Sequence, residues 1–250
     1  AMHMIKISNF RLHAFLVHLL SSVCIAAISL YIIFMVWHPA PLATAVGVTH
    51  IFIMMLAIDV VLGPLLTLIV AKKGKKSLKF DLGVIIVLQL AALIYGIYNI
   101  AISRPVYIAF DTLRFEVVQA NVIPTESLEQ APPPYQTLGW GDPKFVAVTP
   151  AKTTEQKNDR LFLELKTGIA PSMQPNLYVP LDNQWPAIDS SAKGLNDLYE
   201  RNPRSAVDTI RQQYPTATKW LPLKAYEQDM IVLINSKDNS IVDIVDLQPW

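Results

Sequence analysis

Asp59 is the one charged side chain between Leu12 and Ala71. It stands in the middle of an apolar run. An ionised carboxylate at bilayer depth costs about 2.5–3.5 kcal/mol on insertion scales, so it must be protonated, paired, or turned to a wet or protein-lined cavity. Gly63-Pro64 follows a few residues on. Pro64 removes the N–H that would bond the carbonyl of Val60 and clashes with that turn. Gly63 permits close approach of another helix. Asp59 and Gly63 are four apart and share one helix face. That small, polar, kinked face suits a docked helix. Gln89, at comparable depth in the next apolar run, is a candidate to bond the Asp59 carboxyl; His18 is a poorer one. Three roles follow for Asp59: holding this chain's own helices together, meeting a foreign transmembrane helix, or relaying protons. No chain of ionisable residues crosses the apolar runs, which disfavours the relay and also a transporter or channel.

Residues 104–250 contain no histidine and no cysteine. That removes the usual general base, the thiol nucleophile and zinc ligands together. Neither a Gly-x-Ser-x-Gly elbow nor a phosphate-cradling glycine loop is present. Asp182, Asp189 and Asp197 fall at turns and helix starts, where capping is their ordinary role. The expectation is a binding domain, not an enzyme, with no metal and no cofactor.

The elements that must position these residues follow from charge and hydropathy. The chain is 52% hydrophobic and 16% charged over 250 residues, with mean hydropathy +0.33. Soluble domains carry about 25% charged residues. The average hides two halves: residues 1–103 hold 7 Lys/Arg and 2 Asp/Glu, and residues 104–250 hold 14 and 18. This excludes a single soluble domain and a basic nucleic-acid binder. Apolar runs over about 12–37, 49–71 and 82–102 each exceed the roughly 20 residues that a bilayer span needs, and each must be helical. The first run is too long for the apolar core of a signal peptide, so a retained helix is expected despite the small residues of Pro39-Ala40-Pro41-Leu42-Ala43. Ala1-Met2-His3 ahead of Met4 reads as a cloning remnant. The domains expected are a transmembrane one over 4–103 and an α+β one over 104–250.

Lys72, Lys73, Lys75, Lys76 and Lys79 crowd the loop between the second and third runs, Lys6 and Arg11 precede the first, and the loop from His38 to Thr49 has no lysine or arginine. The positive-inside rule puts the N-terminus and the lysine loop in the cytoplasm and residues 104–250 on the far side. Trp37 fits the aromatic belt there. The lysine loop also has the composition of an anionic-lipid site, though topology alone explains it. Cys24 lies in the first span and leaves the exported part without a disulfide.

After Arg104-Pro105, strands are expected at Val106–Phe110, Phe115–Val118, Phe145–Val148, Trp220–Ala225, Met230–Ile234 and Ile241–Val245, the last two joined by a hairpin loop at 235–239. Helices are expected at Thr154–Lys166 with Gly168 as its stop, at Ser190–Glu200, and at Arg204–Tyr214 behind Pro203. The proline-rich stretch through Pro132-Pro133-Pro134 and Gly139–Pro143 reads as an ordered loop. The fold class is a three-helix transmembrane bundle followed by an α+β domain with a mostly antiparallel sheet and helices on one face.

Several strings are familiar together: Ile58-Asp59-Val60-Val61-Leu62-Gly63-Pro64-Leu65-Leu66-Thr67, Leu78-Lys79-Phe80-Asp81-Leu82, Arg104-Pro105-Val106-Tyr107, Arg114-Phe115-Glu116-Val117-Val118, Trp220-Leu221-Pro222-Leu223 and the terminal Val245-Asp246-Leu247-Gln248-Pro249-Trp250. In this order, over nearly the whole chain, they resemble the TfpX/TfpZ family of type IV pilin accessory proteins. The resemblance implies a bacterial inner-membrane protein that works beside a cognate major pilin and supports its stability or assembly as a dedicated chaperone. It brings no catalytic residues. The competing reading is a sensor whose exported domain binds a ligand; its weakness is a cytoplasmic side too small for an output domain. A membrane enzyme that modifies a pilin lacks a catalytic constellation.

Overall fold

A computed structural model describes residues 9–250; Lys6 and the Ala1–Met4 stretch lie outside the described residues. The chain divides into two compact units. One contains residues up to Met35 together with Val48–Ala101, and the other contains Val36–Gly47 together with Ile102–Trp250.

The first unit is helical. Its spans are Asn9–Trp37, Val48–Val70 and Leu78–Ile102, each long and apolar enough to cross a membrane. Helix α1 (Asn9–Tyr31) runs on into a π-helical turn, Ile32–Trp37. After α2 (Leu42–Ala45), which belongs to the other unit, the second span is α3 (Val48–Ala57), a π turn (Ile58–Leu62) and α4 (Gly63–Val70). The third is α5 (Leu78–Ile102). Ser22, Ala26 and Ser29 are buried at helical spacing and form a small-residue seam on α1, which packs along α4; Ile33 continues the buried row into the π turn. With no water to expel between apolar helices, close contact over small residues is the main source of association. His18 Nδ1 and Thr67 Oγ1, 2.6 Å apart, join α1 to α4. Four exposed lysines mark the turn before α5 and a fifth, Lys79, stands in its first turn, where Asp81 pairs with Lys75 at 2.6 Å.

The second unit is built on an eight-stranded mixed sheet. Its strands are β1 (Pro105–Asp111), β2 (Arg114–Gln119), β3 (Lys144–Val148), β4 (Tyr178–Val179), β5 (Lys193–Gly194), β6 (Lys219–Lys224), β7 (Met230–Asn235) and β8 (Ser240–Val245). The order is β4-β3-β1-β2-β6-β7-β8, with β5 added to β6. Pairings are antiparallel except β1 with β3 and β2 with β6. The helices are α6 (Thr125–Glu129), α7 (Thr154–Thr167), α8 (Trp185–Ser191) and α9 (Arg204–Gln213).

Both faces of this sheet are covered, not one. Ile108, Phe110, Phe115, Leu221, Leu223 and Val232 pack with Trp185 and Ile188 of α8. The opposite side chains of β1, Tyr107 and Ala109, pack with Tyr135 and Tyr178, while Trp220, Ile231 and Leu233 pack with Leu198 and Val207 of α9. Every residue of β7 is buried, as a strand covered on both faces requires. The helix expected over Ser190–Glu200 is also replaced. Helix α8 ends at Ser191, β5 pairs with β6, and Leu195–Glu200 is a 3₁₀ turn. Sheet pairing overrides local helix preference there.

Residues 36–47 carry no strong local signal, yet they are part of this second core. Leu42 and Ala45 join the cluster around Phe110, and the Ala45 carbonyl accepts from the N–H of Glu227 at 2.9 Å and of Gln228 at 3.1 Å. Gly47 closes the segment at φ +74°, with the Glu227 side chain 3.2 Å from where a Cβ would stand. The Trp37 and Trp140 rings lie 5.9 Å apart, tilted by 47°, and the Arg104 guanidinium lies 3.8 Å over the Trp140 ring.

Candidate functional site

The second span carries its own explanation of the site. Within the π turn the N–H of Gly63 bonds the carbonyl of Ile58, five residues back. The Asp59 carbonyl would take the N–H of Gly63 in an α turn or of Pro64 in a π turn. The first is engaged elsewhere and the second does not exist. The deficit expected at Val60 thus extends to Asp59. Gln89 on α5 fills it, its Nε2 donating to the Asp59 carbonyl at 2.6 Å. It can do so because residue 63 is glycine: a Cβ there would overlap the Gln89 amide.

The structure therefore brings Asp59, Gly63 and Gln89 together, with Pro64 buried beside them, and corrects one pairing. Gln89 serves the main-chain carbonyl, not the carboxyl. Both Asp59 carboxyl oxygens and Gln89 Oε1 are buried without a hydrogen-bond partner, although Asp59 is only 6% exposed. They face a cavity of about 530 Å³ lined by α1, the second span and α5. The cavity extends along the half of the bundle nearer the lysine turn. Its walls are largely aliphatic, with His18, Ser21 and Thr67 adding polar groups. Val17, Ile86 and Leu90 line it and are also exposed on the helix surface, so it reaches the outside of the bundle between α1 and α5. Lys72, Lys73, Lys75 and Lys76 in the exposed turn, and Lys79 at the start of α5, take no part in it.

Glu116 of β2, the other buried acid among the described residues, is treated oppositely. Its Oε1 accepts from Arg114 Nε at 2.8 Å and Nη2 at 2.6 Å, and its Oε2 from Ser172 at 2.6 Å. This carboxylate is satisfied and ties β2 to the turn at Pro171–Met173. Asp189, expected as a cap, instead pairs with Lys219 at 2.9 Å. A Ser-x-x-Lys spacing at Ser190 and Lys193 is engaged piecemeal: Ser190 donates to the Ala187 carbonyl, and Lys193 lies 5.2 Å over Trp220.

Sequence reasoning missed α7 as a surface. Thr153 caps its start, accepting from the Gln156 N–H at 3.1 Å, and Gly168 at φ +75° ends it. No residue of α7 is buried, and Leu161, Phe162 and Leu165 are 51%, 66% and 73% exposed. Apolar side chains gathered on an exposed face mark an interaction surface. The signal was present in Leu161-Phe162-Leu163-Glu164-Leu165, which has more apolar residues than one buried face would use.

A helical unit of three membrane-length spans, with a cavity that holds one buried acid, joined to a mixed-sheet domain, is the architecture of a multi-pass membrane protein. The family model described as fimbrial assembly protein FimB matches residues 7–47. The chain is 30% identical over 233 residues to the fimbrial assembly protein, serogroup I, of Dichelobacter nodosus, covering 92% of this chain and 88% of that protein. It is 28% identical over 243 residues to the serogroup E1 protein of the same organism, with 94% of each covered. It is 38% identical over 117 residues to the protein of serogroups C1 and C2, which spans 46% of this chain and 89% of that one. No solved structure matches. The chain belongs to the fimbrial assembly protein family.

Proposed function

We propose that this protein is a non-enzymatic, pilin-specific chaperone of the bacterial inner membrane that stabilises a cognate major type IV pilin and supports its assembly. Before assembly a pilin is held by one apolar helix and carries a globular head outside the membrane. A chaperone for it needs a surface for each part. The observation that carries this reading is the coexistence, in a member of the fimbrial assembly family, of the Asp59 cavity in the membrane unit and the uncovered apolar side chains of α7 in the other. In this reading the cavity receives the pilin helix and α7 meets the head.

The proposed topology has the N-terminus and lysine turn cytoplasmic and residues 104–250 periplasmic. Its support is the lysine asymmetry together with the packing of residues 36–47 into the same unit as 102–250. The two spans between Gly47 and Ile102 thus leave one folded unit and return to it, as an even number of crossings between two segments on the same side requires. A periplasm-active reporter fused after Trp250 is expected to be active; an inactive one refutes this orientation.

A deletion strain tests the function. Loss of pilin protein with an unchanged pilin transcript supports the chaperone. Loss of the transcript supports the sensor reading, and unchanged pilin with normal pili refutes both.

A further inference from the structure

The floor of the membrane cavity is built from hydrogen-bond acceptors. Both Asp59 carboxyl oxygens and Gln89 Oε1 are buried there without a partner, and the one Gln89 amide donor that reaches Asp59 is taken up by its carbonyl. The neighbouring His18 Nδ1 is engaged with Thr67. The chain has no lysine or arginine from Leu12 to Ala71 or from Phe80 to Ser103, so its own apolar spans bring neither to this depth; His13 and His18 also line the cavity, and His18 is held by Thr67, eight residues beyond Asp59. Intramembrane acids pair with a cation, a polar partner or backbone. This chain does satisfy Glu116, its other buried acid.

We infer that the counter-group arrives from outside: the cavity seats the flank of a second transmembrane helix bearing an ammonium group at mid-membrane depth. Charge complementarity selects the ammonium, which has donors and no acceptor. Depth selects the helix. Asp59 is eleven residues from either end of the Val48–Val70 span, about 16 Å at 1.5 Å per residue, so a lipid amine at headgroup level lies far above it. The α1 wall runs from His13 to Ala26, about 20 Å of helix axis, long enough to hold a row of side chains. Because a helix satisfies its own interior N–H groups, the donor must be more than backbone. Gly63, Pro64 and Gln89 are then positioning residues. They build the π turn and complete its hydrogen bonding while leaving the carboxyl free.

This inference rests on the chaperone reading only for the identity of the helix, as that of a pilin. Its test therefore uses no pilin, so either can fail alone. Full-length protein in phosphatidylcholine nanodiscs is titrated with synthetic leucine-alanine transmembrane peptides that differ only in a central Lys, Leu or Glu, with association read by energy transfer. The Lys peptide is expected to bind about tenfold more tightly than the Leu peptide, roughly 1.4 kcal/mol. Asp59→Asn, which keeps size and shape, should erase the difference, and Asp59→Glu should retain it, both at an unchanged melting temperature. Equal binding of Lys and Leu peptides overturns the inference, as does a preference that survives Asp59→Asn. Tightest binding of the Glu peptide makes Asp59 a protonated donor instead. Loss of the Lys preference when phosphatidylethanolamine replaces phosphatidylcholine assigns the cavity to a lipid amine and likewise overturns it.

Discussion

Gln89 Nε2 donates to the main-chain carbonyl of Asp59 at 2.6 Å and leaves the carboxyl of the same residue unpartnered. One side chain thereby closes a backbone defect without neutralising the acid beside it. The defect follows from covalent structure: Gly63 spends its N–H on Ile58, and Pro64 has none to give. A glutamine in contact with a buried aspartate has the simpler option of bonding its carboxyl. The proline-induced turn changes which oxygen most needs the amide.

Gly63 and Gly96 give a paired test of this geometry. A Cβ at Gly63 would overlap the Gln89 amide, and one at Gly96 would overlap Met55 Sδ. Met55 is flexible and has rotamers to spare; Gln89 is fixed by its bond to Asp59. Gly63→Ala is expected to destabilise the protein by about 1–2 kcal/mol, the scale of a lost interhelical hydrogen bond with its packing. Gly96→Ala should cost less than half of that. Unfolding of both variants in bicelles measures the difference, and equal losses would show that Gln89 is as free to move as Met55.

The spans and the long strands were legible because each rests on a local signal. Hydropathy over twenty residues located α1 and α5, and β-branched runs located β1, β7 and β8. Two-residue strands such as β4 and β5 exist only through their partners, so no local pattern announces them. The same holds for residues 36–47, whose Leu42 and Ala45 find their place in a core assembled from residues far away in sequence. At the site, Asp59, Gly63, Pro64 and Gln89 were readable as residues that belong together. Which atom of Asp59 receives the amide was not, since it depends on a π turn that sequence spacing does not encode.

In the α+β unit, Glu116 supplies a stability prediction. Removing a satisfied buried acid strands its partners: Glu116→Ala leaves Ser172 buried and Arg114 without its carboxylate, with an expected loss of about 3 kcal/mol. Arg114 is partly exposed, with 40% of its side chain accessible, so water compensates some of its share and keeps the loss at the low end. Ser172→Ala removes a single donor and should cost about 1–2 kcal/mol. Denaturant unfolding followed by tryptophan fluorescence of the whole protein ranks the two, and a neutral Glu116→Ala would show that the contact contributes nothing.

Asp111 at the end of β1 gives a pH dependence of definite sign. Burial pushes its carboxyl above the ordinary carboxylate range; the Thr112 hydroxyl opposes this, while Glu116 adds to it. A folded-state value above the unfolded one means that the native state binds the extra proton. Stability therefore falls as pH rises from the unfolded value through the raised one. Asp111→Asn keeps the shape and removes the charge, so it should raise the melting temperature near about pH 7, with the gain shrinking as the pH approaches about 4. Calorimetry at the two values checks this, and a gain that grows on acidification contradicts the assignment.

Helix α7 separates stability from binding. With no buried residue, it contributes little to the core, and exposed substitutions away from special features stay within about ±0.5 kcal/mol. Phe162→Ser and Leu165→Ser should leave the melting temperature of the whole protein unchanged. If α7 meets the pilin head, the same double variant should recover several-fold less pilin when the protein is purified from native membranes at equal expression. Leu113→Ser, on the exposed β1–β2 turn, removes a comparable apolar side chain outside the helix and serves as the control. Undiminished pilin recovery with the α7 double variant would move the contact elsewhere on the unit. A drop in melting temperature would instead show that α7 packs more firmly than its exposure indicates.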